Sequence, residues 1–373
     1  MQKRKTRIKK VLGIAFGQSK LLREPLAGLL HFLIFWGFMI FLFAVIEAII
    51  QGFYSSFSLR FLGPVYSVVT LVTDILGLLV ILSVIVALIR RFVIKVPRLQ
   101  LDRSAEIDAA VILLLIFFVV VTMYLQYSAS IYINGGTHNF ELRPVSEAIS
   151  NILYGSVQST ENMYEISWWT HIVLIFSFLN FLPYSKHLHV LTSIPNTYFS
   201  NLDEIRNTLK PLDLEDENAE NFGAADIEHF SWKQILDGYS CTECGRCTNV
   251  CPANNAGKSL SPRDIFIQIR KRTSDKAPLL ANGVNEGEQF EKTLVHDYID
   301  DKVLWQCTTC NACVQECPVM IEHVDSIVDM RRNLILSESS FPSNLNAVFK
   351  SIETNFTPWA FNATDRAEWA KDL

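Results

Sequence analysis

Residues 26–50 read LAGLLHFLIFWGFMIFLFAVIEAII, an apolar run with one acid and no lysine or arginine. A helix of roughly 20 residues crosses the hydrocarbon core of a bilayer, so this run is long enough to span a membrane. Three further apolar stretches follow at 65–89, 107–128 and about 167–190. The first run is too long for a signal peptide and is not followed by a small-residue cleavage site, which predicts a retained anchor. The sequence therefore predicts four membrane-spanning helices.

The 373 residues divide into two halves of different composition. Hydrophobic residues make up 50% and charged residues 19% of the chain, which excludes a disordered, collagen-like or coiled-coil protein. All eight cysteines lie between Cys241 and Cys317, and this clustering indicates a local site and not a disulfide framework. The sequence contains no phosphate-binding glycine loop and no nucleophile motif, and we expect no nucleic acid among its partners.

Lysine and arginine are unevenly distributed around the four spans. The tail 1–23 carries eight bases and no acid, and the segment 90–103 carries five bases, whereas the segments 51–64 and 129–166 carry one base each. Basic loops stay on the cytoplasmic side of a membrane. We therefore expect a multi-pass protein of the cell inner (cytoplasmic) membrane, with both termini and the cysteine-rich half in the cytoplasm.

Two histidines lie at the predicted cytoplasmic end of the spans. His31 is in the first turns of span one and His189 is at the end of span four. Imidazoles from two helices at equal depth can ligate a haem iron axially. Helical periodicity places His171 and His189 on one face and His187 about 160° away, which favours His189 over His187. We expect His31 and His189 to bind haem; the alternative is that they are interfacial histidines held by hydrogen bonds.

Other ionisable residues in or near the spans are candidates for a quinone site, because such residues are costly in hydrocarbon. The candidates are Lys186 and His187 at the cytoplasmic end, and Glu47 and His171 at the outer end. The alternatives are that Glu47 reaches the interface and that Lys186 binds headgroups of the membrane lipid. Asp74, in span two, is expected either to form a helix–helix hydrogen bond or to relay protons.

The two cysteine runs share the spacing C-x2-C-x2-C-x3-C-P, which is typical of bacterial two-cluster ferredoxins. In that arrangement three thiolates of a run bind one cluster and the fourth reaches the other cluster. A zinc site, the alternative, prefers two separate C-x2-C pairs. The predicted ligands of the first [4Fe-4S] cluster are Cys241, Cys244, Cys247 and Cys317. Those of the second cluster are Cys307, Cys310, Cys313 and Cys251.

The remaining patterns divide the cytoplasmic half. Acidic residues without a hydrophobic period predict a solvated linker, which includes 214–221. Ser261 followed by Pro262 predicts a helix start, and 289–300 and 324–336 are also expected to be helical. The predicted domains are a basic segment 1–25, a membrane domain 26–195, an acidic linker 196–230, a two-cluster domain 231–340 and a partner-docking tail 341–373.

Two runs around span four, WWTH at 168–171 and LPYSKHLH at 182–189, together with His31, resemble the cytochrome b (gamma) subunits of respiratory nitrate reductase. They also resemble membrane subunits of heterodisulfide-reductase-like complexes. The cysteine-rich half resembles the helical ferredoxin domain of heterodisulfide reductases and succinate dehydrogenase iron–sulfur subunits. In this order the fusion most resembles the membrane iron–sulfur oxidoreductases grouped as electron-transfer-flavoprotein:menaquinone oxidoreductases. The fold expected is all-α, a four-helix cytochrome b bundle followed by a mostly helical two-cluster domain.

The resemblance implies a quinone-linked oxidoreductase subunit that takes electrons from a soluble donor, such as electron-transfer flavoprotein, through two [4Fe-4S] clusters and haem b to menaquinone. The nitrate-reductase cytochrome has paired histidines on both haem helices, whereas His31 stands alone on span one, so one b haem is expected and two are the alternative. Relatives carry a CCG domain, which is expected here on a separate heterodisulfide reductase B/D-like subunit; the alternative is that it is absent. The alternatives are menaquinol oxidation towards a disulfide reductase and a haem-free, membrane-anchored iron–sulfur adaptor or sensor.

Overall fold

The computed structural model describes residues 3–155, 157–202, 209, 211–215, 221–283, 292–359 and 362–371. These residues form helices and loops and no β-strand, in agreement with the all-α prediction. The chain folds into two compact units that alternate along the sequence. The first unit comprises Met1–Ser200, Tyr239–Arg246 and Glu316–Ile321, and the second comprises Asn201–Gly238, Cys247–Gln315 and Glu322–Leu373.

Seven helices form most of the first unit. They are α1 (Arg4–Val11), α2 (Pro25–Phe53), α3 (Pro64–Leu88), α4 (Arg103–Ile133), α5 (Pro144–Leu153), α6 (Val157–Phe181) and α7 (His189–Phe199). Four of them, α2, α3, α4 and α6, are long and apolar enough to cross a membrane, which confirms the four predicted helices. In sequence order, α2 packs on α3, α3 on α4 and α4 on α6. Val80, Val84, Val120, Met123 and Tyr124 form the apolar core between α3 and α4.

Asp74, ten residues into α3, is fully buried (0% exposed). Its Oδ2 accepts a hydrogen bond from the backbone N–H of Val145 (2.6 Å), and its Oδ1 accepts one from the Ser146 hydroxyl (2.5 Å). These donors lie in the first turn of α5, where backbone N–H groups have no partner within the helix. Asp74 therefore joins α3 to the start of α5, which agrees with the expected helix–helix hydrogen bond.

The last apolar helix differs from its predicted limits of about 167–190, because α6 already starts at Val157 and ends at Phe181. Pro183 follows within a 3₁₀ turn, Leu182–Tyr184, and the Ser185 hydroxyl accepts the His187 N–H (3.1 Å) at the start of a second turn, Lys186–Leu188. His189 then begins α7. The helical periodicity that related His171 to His189 was therefore wrong, since the two residues are on different helices.

The second unit contains helices α8 to α15, some of which extend by one or two residues into the first unit. They are α8 (Trp232–Ser240), α9 (Arg246–Asn249), α10 (Pro252–Asn255), α11 (Pro262–Ala281), α12 (Asp301–Trp305), α13 (Ala312–Glu316), α14 (His323–Leu336) and α15 (Leu345–Asn355). The predicted start of α11 is confirmed, because the Ser261 side chain accepts the Asp264 N–H. The helix expected over 289–300 is absent from its described part: His296 has φ 82° within a tight turn.

The predicted solvated linker includes a well-packed end. Residues 203–208, 210 and 216–220 lie outside the described residues, but Asp226 is buried (4% exposed) and accepts hydrogen bonds from Arg272 Nη2 (2.6 Å) and Lys276 Nζ (2.9 Å). Burial alone would raise the pKa of Asp226, but the hydrogen bonds from these two cations hold it below its ordinary value. The charged composition of the linker predicted solvent exposure, whereas Asp226 is buried and pairs with two cations of α11.

Candidate functional site

Four cysteine side chains of the second unit surround one cavity. Cys251, at the start of α10, meets three cysteines of the second run there, and the other lining residues are mostly apolar. The three are Cys307, Cys310 and Cys313. Burial and the neighbouring thiols raise the pKa of Cys313 to about 12. This is the crossed set predicted for the second cluster, and four thiols around an apolar cavity suit a [4Fe-4S] cluster, which Cys thiolates bind.

The two cysteine runs follow the same backbone path. The residue before the second cysteine is left-handed in both runs, Glu243 (φ 57°) and Thr309 (φ 53°). The residue after it is left-handed too, Gly245 (φ 71°) and Asn311 (φ 60°). Non-glycine residues adopt this conformation at a cost, and such strain is concentrated at functional sites. The shared path indicates that both runs are built to present their thiols in the same way.

Three of the other cysteines belong to the first unit. They are Cys241, Cys244 and Cys317. The Cys317 sulfur accepts the Ile321 N–H (3.4 Å), while burial together with Cys244 and Cys241 raises the pKa of Cys317 to about 12. Cys247 belongs to the second unit, where it packs in an apolar cluster with Cys313. Cys317 thus lies near the first two cysteines of the opposite run, as the crossed assignment requires.

Charged side chains bind the loop 241–246 to the end of the helical bundle. Arg98 donates to the Cys244 carbonyl (2.7 Å) and also pairs with Glu24, which precedes α2. Lys186 (10% exposed) pairs with Glu243 (7% exposed) at 3.0 Å and donates to the Ala105 carbonyl (2.7 Å). Contacts of this kind to a ligand loop are what positions metal ligands in proteins.

Gly245 is needed where this loop passes the bundle. Its φ of 71° is left-handed, and a Cβ atom there would lie 2.4 Å from the Arg98 carbonyl oxygen. Any other residue would therefore push the backbone of the loop away from the 97–99 turn. The side chain of Arg98 also donates to the carbonyl of Cys244, the residue before Gly245. Arg98 therefore takes part in both the close approach and the hydrogen bond.

His31 and His189, the predicted haem ligands, face each other in the first unit. Their ring centroids are 6.3 Å apart. Nδ1 of His31 donates to Gln18 Oε1 (3.1 Å), and Nδ1 of His189 donates to the Lys186 carbonyl (3.0 Å). Nε2 is therefore the nitrogen of each ring left for a metal. The two rings come from different helices, α2 and α7, and they would be able to supply two imidazole ligands to a haem iron.

The other predicted residues have different surroundings. His187 stacks edge-on against Phe178 and His189, and each of the two ring centroids is 5.2 Å away. Burial, together with the imidazoles of His189 and His31, lowers the pKa of His187 to about 3. His171 Nδ1 contacts the Thr122 hydroxyl (2.9 Å) and the Val119 carbonyl (3.1 Å) on α4. His187 therefore lies beside the imidazole pair, and His171 connects α6 to α4.

Glu47 and Lys186 use their charged atoms in contacts within the bundle. Glu47 accepts hydrogen bonds from the Ser58 hydroxyl (2.9 Å), the Leu59 N–H (2.8 Å) and the Tyr66 hydroxyl (3.1 Å). It closes the connection between α2 and α3. Lys186, as described above, is buried against Glu243 and Ala105 and does not extend into solvent.

Sequence reasoning missed several residues around the two sites. Gln18 lies in a basic tail and carried no signal of its own. Glu24 could have been singled out because it is the first acid after eight bases. Arg98 was counted only as one of the five bases that indicate topology, yet it holds the Cys244 carbonyl.

The chain is similar to known iron–sulfur proteins. Residues 240–321 match the 4Fe-4S dicluster domain. The chain is 32% identical, over 99% of its length, to a Bacillus subtilis protein named probable iron-sulfur-binding oxidoreductase FadF, of which it covers 55%. It is 32% identical, over 95% of its length, to the EtfAB:quinone oxidoreductase of Syntrophomonas wolfei, of which it covers 52%.

A third relative is similar to one part of the chain. A probable membrane-anchored ferredoxin of Chromohalobacter salexigens is 37% identical over 44% of this chain, which covers 26% of that protein. No solved structure gives a significant match. The chain spans about half the length of the two relatives that it matches almost from end to end. It is similar, over nearly its whole length, to iron–sulfur oxidoreductases, and its cysteine-rich part matches a domain that carries two [4Fe-4S] clusters.

Proposed function

We propose that the chain is a membrane-bound electron-transfer subunit that passes electrons from a soluble donor through two [4Fe-4S] clusters and a b haem to menaquinone. One observation carries the proposal: a single unit contains both the facing His31 and His189 rings and a loop with two of the predicted cluster ligands, Cys241 and Cys244. Electron transfer needs a short path between carriers, and this unit would supply protein ligands for two of them.

The eight cysteines would hold the clusters in the crossed arrangement, and His31 and His189 would hold the haem through Nε2. Clusters and haem carry one electron at a time, whereas a quinone takes up two electrons and two protons to become a quinol. Two oxygen atoms of the chain orient these ligands. The side-chain oxygen of Gln18 accepts the Nδ1–H of His31, and the backbone carbonyl of Lys186 accepts the Nδ1–H of His189. Each imidazole is thereby held in the tautomer that can bind a metal through Nε2.

For the quinone we propose His187. Glu47 and Lys186 are engaged in contacts within the bundle, and His171 bonds to α4. Among the described residues, no hydrogen bond to the His187 ring accompanies its stacking on Phe178. The ring of His187 stacks edge-on against Phe178 and His189, and a neutral imidazole there would be able to donate an N–H to a quinone oxygen. Replacement by Phe should lower quinone reduction about tenfold, the loss of one hydrogen bond, while haem content stays unchanged.

For the soluble partner we propose electron-transfer flavoprotein. The name of one relative couples EtfAB to a quinone, which supports electron-transfer flavoprotein as the donor. We propose that a CCG domain connects the donor to the clusters, which the resemblance to fused membrane iron–sulfur oxidoreductases supports. The expected location is the inner (cytoplasmic) membrane with the iron–sulfur domain in the cytoplasm, as the distribution of bases predicts.

The first test is a reduced-minus-oxidised visible spectrum of the purified chain, with haem quantified per polypeptide. We expect one b haem, its loss in His31→Ala and in His189→Ala, and its retention in the control His171→Ala. A second haem that disappears in His171→Ala would change the stoichiometry. Wild-type protein with intact clusters but without haem would overturn the haem part of the proposal.

A second candidate function is a haem-free, membrane-anchored iron–sulfur adaptor, which the similarity to a membrane-anchored ferredoxin favours. Full cluster content without haem and without quinone turnover would identify it. The direction of flow is decided by a redox titration: clusters at lower potential than the haem support reduction of menaquinone, and the reverse order supports oxidation of menaquinol towards a disulfide reductase.

A further inference from the structure

A short segment of the first unit contacts both predicted redox sites. We call residues Gln18–Glu24, between α1 and α2, the strap. It begins with Gln18, which is almost fully buried (1% exposed) and left-handed (φ 48°). The side-chain oxygen of Gln18 accepts the Nδ1–H of His31 at 3.1 Å. No hydrogen-bond partner of its buried Nε2 is found among the described residues, so the contact with His31 accounts for the placement of this amide.

Two residues later the strap reaches a predicted cluster ligand. Lys20 Nζ donates to the Cys317 carbonyl at 3.2 Å. The carbonyls of Lys20 and Leu21 accept hydrogen bonds from Arg246 at 2.9 and 3.0 Å. Arg246 is the neighbour of Cys247 in the sequence, so two ligand segments are attached to the strap.

The strap is also fixed to the helix that carries His31. A Cβ atom on Gly28 would lie 2.4 Å from the Leu21 carbonyl oxygen and 2.7 Å from the Leu22 Cα atom, so the strap lies directly on the backbone of α2. At its end Glu24 pairs with Arg98 and, at 3.4 Å, with Arg246. The close contact at Gly28 and this ion-pair group hold the strap between the two sites.

We infer that the strap is a positioning element for both redox centres, in which Gln18 sets the donor strength of His31 and Lys20 sets the charge beside Cys317. An imidazole that donates its Nδ1–H to an oxygen is a more basic ligand through Nε2, which favours oxidised iron. A cation near a thiolate ligand stabilises the more negative, reduced cluster. The strap therefore adjusts the two potentials through two different residues. This inference rests on the proposed function.

The test uses the full-length chain in detergent with its cofactors, titrated by visible spectroscopy for haem and by electron paramagnetic resonance for the clusters. Gln18→Leu should raise the haem midpoint potential and Gln18→Glu should lower it, with the clusters unchanged. Lys20→Met should lower the potential of one cluster and leave the haem unchanged, while the matched control Lys20→Arg should keep the wild-type value.

The outcomes separate this inference from the proposed function. Unshifted potentials in all variants with full cofactor content, or equal shifts of haem and cluster in every variant, would overturn the role of the strap while the proposed function stands. Wild-type protein without haem would overturn the haem site, and the Lys20 variants would still decide the cluster half. If Gln18→Leu fails to retain haem, retention and a lowered potential in Gln18→Glu support the inference, and an unshifted potential there contradicts it.

Discussion

In the proposed crossed arrangement, each cluster would depend on a cysteine that lies far away in the sequence. Cys251 shares a cavity with thiols of the second run, more than 50 residues later. Two residues of the ligand loops, Glu243 and Thr309, accept a left-handed conformation without the freedom of glycine. The cysteine site therefore depends on the backbone conformation of these loops as well as on the positions of the thiols.

This arrangement predicts which cysteine variants act on the same cluster. Cys251→Ser and Cys313→Ser should each remove about four of about eight irons per chain. Combining them should remove no more, because the crossed assignment gives both residues to the second cluster. Combining Cys313→Ser with Cys317→Ser should remove nearly all iron, because the crossed assignment puts these two residues on different clusters. Iron analysis and electron paramagnetic resonance provide the measurement; uncrossed ligation would make Cys251 and Cys317 exchange these behaviours.

The spacing of the cysteines was enough to identify them in the sequence, but it did not reveal the residues that position the predicted metal ligands. The spacing C-x2-C-x2-C-x3-C-P is a covalent property of the chain and can be read directly. The contact of Gln18 with His31 depends on how the chain returns from α1 to α2. An ordinary glutamine in a basic tail has no pattern that could reveal such a contact.

Among the elements, the end of α6 determines where His189 lies. The apolar composition continues past Phe181, so periodicity alone extended the helix to Val190, whereas Pro183 and the Ser185 hydroxyl end it and start new turns. His189 nevertheless faces His31. The predicted pair is therefore formed by a chain that leaves α6 and passes through two 3₁₀ turns, and not by one continuous helix as the periodicity predicted.

The close packing of the strap on α2 can be tested with two glycines of that helix. Gly28→Ala should displace the strap and shift both haem and cluster potentials, because the added methyl group meets the backbone at Leu21. Gly52→Ala, whose Cβ would meet no atom within 4 Å, should leave both potentials unchanged and is the matched control. Identical redox titrations of the two variants would contradict the close contact.

The buried ion-pair cluster of Asp226 should matter for the stability of the second unit. Asp226→Asn leaves the charges of Arg272 and Lys276 without their shared acid, a change that costs about 3–5 kcal/mol when a buried pair is broken. The low pKa of Asp226 means that its stabilisation is present above its ordinary value of 3.8 and fades as pH falls below that.

Thermal unfolding of Asp226→Asn with the clusters bound is the measurement. The control is Glu368→Gln, which breaks an exposed pair with Lys371 and should change stability by less than about 1 kcal/mol. Equal melting temperatures for the two variants would show that the Asp226 cluster contributes no more than a surface pair.

For the whole molecule, the four helices and the helical iron–sulfur part followed from composition, but the interleaving of the two units did not. Segments Tyr239–Arg246 and Glu316–Ile321 belong with the helical bundle, although the cysteine motif assigned both to one sequence domain. Long apolar helices are visible in any window of sequence. The return of short loops to a bundle depends on single contacts such as that of Arg98 with the Cys244 carbonyl.

The predicted orientation can be checked on whole cells. A reporter that is active only outside the cytoplasm should be active when fused after residue 137 and silent when fused after residue 96, because the bases of 90–103 should stay inside. Activity at both positions, or at 96 alone, would contradict the orientation and with it the placement of the clusters in the cytoplasm.

Asp74 also bears on how the bundle is made. A carboxyl group in the middle of a membrane helix costs about 2.5–3.5 kcal/mol on insertion scales, and its donors Val145 and Ser146 come 71 and 72 residues later. When α3 enters the bilayer during synthesis, those donors have not yet been translated. The apolar residues of α3 must therefore offset the cost of inserting Asp74 without help from those donors. This part of the bundle can reach its final packing only after α4 and the start of α5 have been inserted.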